Sequence, residues 1–202
     1  AEEALANIEI VRKKEIHHRI KNNLQVISSL LDLQADKFNN REDIKDSEVL
    51  EAFRESQDRV ISMALIHEEL YKGGGLDTLN FSSYIQKLAE NLFQTYSLGN
   101  TDISLNMDLE ENIFFDMDVA VPLGIIVNEL VSNSLKHAFP KEKVGEIRIK
   151  LCREEKGNKM HKSFFSLTIS DNGKGIPEKI ELENVGTLGL KLVSILVDQL
   201  DG

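Results

Sequence analysis

Cysteine occurs once in this 202-residue chain, at Cys152, so the chain cannot close an internal disulfide or build a zinc site from thiolates. No run approaches 18 uninterrupted apolar residues and no signal peptide is visible, so the sequence offers no membrane span of its own. A basic run is missing too. With 24 Lys and Arg against 34 Asp and Glu, a net charge of -10 argues against a nucleic-acid surface. An anionic ligand would have to be held by local cations and backbone amides. What remains, 41% hydrophobic and 29% charged residues, suits a globular protein. The chain begins at Ala1 rather than Met and reads as an excised fragment. It is expected to be cytoplasmic, or the cytoplasmic portion of a sensor whose membrane link lies in an upstream segment.

Residues 1 to about 39 contain neither Pro nor Gly and read as one long helix. Ile16, Ile20, Leu24, Ile27, Leu31, Ala35 and Phe38 step by threes and fours, the spacing of a bundle seam. After a charged connection, Leu50, Phe53, Val60, Ala64, His67 and Tyr71 repeat the pattern, interrupted by Gln57. Two such helices make an antiparallel hairpin, and a lone hairpin leaves its apolar stripe half covered. A second copy completing a four-helix bundle through residues 1–72 is therefore expected. Gly73, Gly74 and Gly75 then read as a hinge, with a second domain over 76–202.

Beyond the hinge the pattern mixes strands and helices, as in an α+β sandwich. Residues 81 to about 96 have a helical period. Ile103, Leu105, Met107 and Leu109 alternate as a strand, with 113–115 as a short partner. Ile147, Ile149 and Leu151 alternate, as do Phe165, Leu167 and Ile169, and a last helix runs from about 189 to 200.

Between them, residues 122–137 read as a helix with Pro122 in its first turn and Leu123, Ile126, Val127, Leu130, Val131 and Leu135 on one face. The opposite stripe carries Glu129, Asn133, Lys136 and His137. These supply a carboxylate that can act as a base, an amide that can ligate a metal, and two groups that can meet phosphate. A solvated helix face would look the same. Two glycine-bearing segments follow. Asp171-Asn172-Gly173-Lys174-Gly175-Ile176-Pro177 ends a strand, where an aspartate can accept from an exocyclic amine. Gly186-Thr187-Leu188-Gly189-Leu190 opens the last helix, whose free N–H groups attract phosphate. Taken singly, these segments are also an ordinary turn and an ordinary helix start.

In this order the three segments resemble the N box and two glycine boxes of the GHKL ATP-binding superfamily. The resemblance implies ATP and Mg²⁺ as cofactors, with Asn133 on the metal and Asp171 on the adenine amine. It further implies Lys136 and His137 near the phosphates, a nucleotide lid from about Gly173 through Gly175 and Thr187 to Leu188, and Gly189 at the phosphate end of the last helix. Glu15-Ile16-His17-His18-Arg19-Ile20-Lys21-Asn22-Asn23-Leu24-Gln25 is similar to the H box of the sensor histidine kinases related to the HWE group. This implies autophosphorylation of a histidine and transfer to the aspartate of a response-regulator receiver domain.

With Ile16 at 0° on a helical wheel, the seam centres near about 40°, His17 lies at about 100° and His18 at about 200°. His18 therefore projects outward and is the expected phosphoacceptor, with His17 supporting it. Departures from the pattern are clear. Arg19 stands where commoner kinases carry an acid, with Glu15 a substitute base, and Val185 and Thr187 stand where many relatives have glycine. The chain also stops at Gly202, before the family's terminal strands, so the ATP domain is expected to be incomplete. Two other classes of function stay open, a GHKL serine kinase of anti-sigma type and a non-catalytic dimeric scaffold.

Overall fold

A computed structural model describes residues 21–22, 24–39, 41, 43–72, 78–96, 102–139, 144–154, 164–175 and 188–202. The expectations for Glu15, His17, His18, the hinge at residues 73 to 75, and Thr187 lie outside these residues. The chain divides into two compact units, Ala1–Val60 and Ile61–Gly202. The division falls inside a helix, α2 (Asp46–Lys72). Among the described residues no helix is long and apolar enough to cross a membrane.

In the first unit, residues 21–22 and 24–36 are helical (α1) and pair with the opening half of α2. The face buried inside this hairpin carries Leu30, Gln34, Ala52, Ser56 and Arg59. Gln34 donates through Nε2 to the Ala52 carbonyl at 3.1 Å and to Glu55 Oε2 at 3.2 Å. Arg59, 1% exposed, donates to Gln34 Oε1 at 3.5 Å. The apolar seam read from the sequence lies elsewhere: Leu24, Leu31, Leu50, Phe53 and Val60 are all exposed, Phe53 by 68%.

The second unit is a sheet covered on one face by helices. β2 (Ile103–Leu109) pairs in parallel with β4 (Gly145–Glu154), and β4 pairs antiparallel with β5 (Phe164–Asp171), giving the order β2-β4-β5. Alternation decides which face is covered: Ile147, Ile149 and Leu151 are at most 1% exposed, while Arg148 and Lys150 between them point to water. The covering helices are α3 (Phe81–Tyr96), α4 (Met117–Asn133) and α5 (Leu188–Gln199). An antiparallel α-helical hairpin followed by a mixed α/β sandwich matches the expected fold class.

Three expectations need correction. The short strand β3 (Phe114–Asp116) does not partner the strand at 103–109. It pairs antiparallel with β1 (Thr78–Asn80), a three-residue strand with no sequence period of its own. Pro122 is not in the first turn of its helix. The helix starts at Met117, where the Asp116 side chain accepts the Val119 N–H at 3.1 Å, a regular N-cap, and Pro122 lies inside. Finally, α4 is not apolar on one side only. Val121, Ile125, Ile126, Val127 and Val131 are buried together with Asn128 and Glu129, so the helix runs through the core.

What lets α4 run so close to α3 is Gly124. A Cβ at that position would overlap the Tyr84 hydroxyl oxygen and stand 2.9 Å from Tyr84 Cζ. Tyr84 is fully buried and donates its hydroxyl to the Ser62 carbonyl on α2 at 3.3 Å. Burial pushes the tyrosine pKa up, so the group stays protonated and keeps donating. Lys87 and Glu69 form an ion pair in the same unit. Gly124→Ala is expected to destabilise the second unit by about 1–3 kcal/mol, the usual cost of overpacking. Adding Tyr84→Phe, which removes the nearest clashing atom, is expected to recover part of it. Thermal unfolding of the single and double variants checks this; an unchanged melting temperature in Gly124→Ala would disprove the packing account.

Candidate functional site

Four elements of the second unit meet at the carboxyl end of α4. The helix does not simply stop. After Asn133 it widens into a π-helical turn, Ser134–Ala138, and ends at Phe139. Each residue of a π turn advances less around the axis than in an α-helix, and such turns are frequent at functional sites.

Glu129 and Asn133 precede the change and remain together. Both lie against Gly189 at the start of α5. A Cβ on Gly189 would stand 2.5 Å from Glu129 Oε2 and 3.6 Å from Asn133 Nδ2. Glu129 is 5% exposed and Asn133 half-buried. The amino end of α5, at Leu188 and Gly189, carries the partial positive charge of a helix start, a favourable neighbour for a buried carboxylate. Lys136 and His137 follow the change. Lys136 places its Nζ over the Tyr96 ring, 5.0 Å from the centroid, and His137 is exposed.

The π turn also holds the first glycine-bearing segment at two points. Ser134 Oγ donates to Asp171 Oδ2 at 2.7 Å, a short charge-assisted bond. The Ala138 carbonyl accepts the Lys174 N–H at 2.9 Å. Between them the Gly173 N–H donates to Asp171 Oδ1 at 3.0 Å, so each carboxylate oxygen of Asp171 is engaged. Asn172 ties the same segment to β4 by accepting the Glu146 N–H at 2.8 Å. Gly173 passes so close to the turn that a Cβ would stand 2.5 Å from the Ala138 oxygen, and Gly175 has a φ of 71°. Ser134 and Tyr96 were not legible as site residues. A serine hydroxyl and a helix-terminal tyrosine are too common to stand out without coordinates.

Asp171, Glu129, Asn133, Lys136 and the start of α5 thus belong to one edge of the unit. The chemistry available there is an acceptor for an amine, oxygen donors for a hard cation, and positive groups for phosphate. Among the described residues no three His, Cys, Asp or Glu side chains gather as a metal cluster. A pair such as Asn133 and Glu129 fits Mg²⁺, which is usually held by one or two protein oxygens and by substrate phosphates.

Residues 15–96 match the family described as histidine kinase. Residues 118–202 match the family of histidine kinase-, DNA gyrase B- and HSP90-like ATPases. The sensor histidine kinase PdtaS of Mycolicibacterium smegmatis is 34% identical over 191 residues, covering 94% of this chain and 35% of that protein. The chain therefore spans about a third of the length of that curated relative. The serine-protein kinase RsbW of Listeria monocytogenes is 30% identical over 117 residues, covering 50% of this chain and 68% of that protein. Among solved structures, a blue-light-activated histidine kinase of Erythrobacter litoralis superposes with a TM-score of 0.64 at 24% identity, over 93% of this chain and 55% of that one, and so supports the fold.

Gly173→Ala is expected to push the Asp171–Gly175 segment off the π turn. Its signature is faster amide exchange at Lys174, by about tenfold or more, because the bond to Ala138 is lost while the core stays protected. Unaltered exchange at Lys174 in a folded variant would contradict the docking.

Proposed function

We propose, from the match of residues 15–96 to a histidine-kinase family and of residues 118–202 to the histidine kinase-like ATPases, that the chain binds Mg-ATP, phosphorylates His18 and passes the phosphoryl group to an aspartate of a response-regulator receiver domain. The observation that carries this reading is the convergence at one edge of the second unit. There Asp171 is oriented by Ser134 and Gly173, and Glu129 and Asn133 are gathered against Gly189.

In this reading Asp171 accepts a hydrogen bond from the exocyclic amine of adenine, and Asn133 offers its amide oxygen to Mg²⁺. The metal, when bound, offsets charge on the phosphates. Lys136, His137 and the N–H groups around Leu188 and Gly189 meet the remaining phosphate charge. Glu129, one turn before Asn133 on α4, is the carboxylate placed to handle a proton. Residues from Gly173 and Gly175 through Thr187 to Leu188 form the lid over the nucleotide. A ring nitrogen of His18 attacks the γ-phosphorus, the bond from that phosphorus to the bridging oxygen breaks, and ADP departs. The phosphohistidine then gives its phosphoryl group to the regulator's carboxylate. His17 supports the nucleophile without receiving the label.

The domain limits proposed for this cycle are a phosphotransfer hairpin over 1–72 and an ATP-binding domain over 76–202. The exposed stripe of Leu24, Leu31, Leu50, Phe53 and Val60 supports pairing of two hairpins into a homodimeric four-helix bundle. Light scattering at micromolar concentration is expected to give about twice 22.8 kDa; a mass equal to 22.8 kDa would refute the dimer.

A serine kinase is the competing reading, since the likeness to RsbW covers half of this chain. Labelled ATP separates the two. Phosphohistidine is labile to acid and stable to alkali, and phosphoserine behaves in the opposite way. Label on the wild-type chain is expected to be acid-labile, lost in His18→Gln and retained in His17→Gln. Alkali-labile label would favour the serine kinase, and label that vanishes only in His17→Gln would move the acceptor to His17.

A further inference from the structure

We propose that Tyr96, the last residue of α3, is a positioning residue for Lys136: its ring holds the lysine ammonium where the phosphates of a nucleoside triphosphate arrive. The inference rests on the nucleotide reading of this site and goes beyond it, since neither the sequence pattern nor the likeness to other kinases singles out Tyr96.

Two observations carry it. The Lys136 Nζ lies 5.0 Å from the centroid of the Tyr96 ring, inside the range of a cation–π attraction, and both residues are half-buried. The backbone beneath Lys136 is pinned on both sides, by Ser134 on Asp171 and by Ala138 on Lys174. With the backbone held, what is left to choose is the rotamer of a long, flexible side chain, and the ring favours the one seen. The ring attracts the cation through its quadrupole and adds no negative charge of its own that would repel an incoming phosphate.

Tyr96 acts through Lys136, so its effect should appear with ligands that carry phosphate and vanish with those that do not. It should also depend on the ring and not on the hydroxyl. The test is calorimetric binding of a non-hydrolysable ATP analogue and of adenosine to the whole chain in Mg²⁺. Tyr96→Leu is expected to weaken the analogue by about three- to tenfold, as for a partly exposed cation–π contact, and adenosine by less than about twofold. Tyr96→Phe, which keeps the ring, is expected to stay within about twofold of wild type for both. In the double variant Tyr96→Leu/Lys136→Ala, binding should be no weaker than in Lys136→Ala alone, because the two changes remove one interaction.

Equal weakening of adenosine and the analogue would overturn the proposal in favour of a purely structural tyrosine, and so would additive losses in the double variant. If Tyr96→Leu fails to fold, Tyr96→Met answers the same question with a similar bulk and no ring. A wild-type chain that binds adenosine and the analogue, beside a leucine variant that binds both as tightly, would remove Tyr96 and leave the nucleotide site standing. A wild-type chain that binds neither would overturn both.

Discussion

A helix that runs through a core has few places for polar side chains, and α4 buries Asn128 and Glu129 in the middle of its length. Each buried polar group costs about 1–3 kcal/mol unless it finds a partner. The position of Glu129 beside the first turn of α5 shows one way the cost is offset, through the partial positive charge of a helix amino end. The same burial sets the rest of the architecture. α4 must be approached closely from α3, hence Gly124 under Tyr84, and from α5, hence Gly189 under Glu129. Substituents at either glycine would separate the helices and open the edge where the site lies. Packing and site geometry are in this sense one constraint.

The regular elements were readable because burial imposes a period. Residues 81–96 and the alternating strands at 103–109, 145–154 and 164–171 lie close to where apolar spacing put them. The misreadings have equally physical causes. Thr78–Asn80 is too short to show alternation, so its pairing with Phe114–Asp116 was invisible. Pro122 looked like a helix start because proline is favoured there, while the actual cap was an aspartate six residues earlier. The π turn shifts hydrogen bonds without a compositional mark. A wheel drawn at a constant angle therefore does not show the contact that Lys136 makes with Tyr96.

The hairpin carries its strongest periodic signal on the exposed face and not on the face its own two helices share. Its opening half of α2 carries two interleaved stripes. Ala52, Ser56 and Arg59 face α1, and Leu50, Phe53 and Val60 face away. The second stripe is the more apolar and dominates any reading of hydrophobic period. The first is small and polar, and it closes on α1 through Gln34, whose amide bonds the Ala52 carbonyl and Glu55. Directional bonds of this kind favour one register between the two helices over its neighbours, which an apolar contact alone does weakly. Apolar area is left on the outer surface, where a further helix pair would be held chiefly by burial.

Electrostatics sets the last requirement. A chain with 34 acidic and 24 basic residues repels a nucleotide at long range. At physiological ionic strength that repulsion fades beyond about 8 Å, so affinity for an anion must come from groups within a few ångströms. In the proposed nucleotide site these are N–H groups at the start of α5 and a lysine on a turn tied down at both ends. Such groups are already oriented before an anion arrives. Less reorganisation is then required on binding, which is how a few local dipoles and one cation outweigh an unfavourable overall charge.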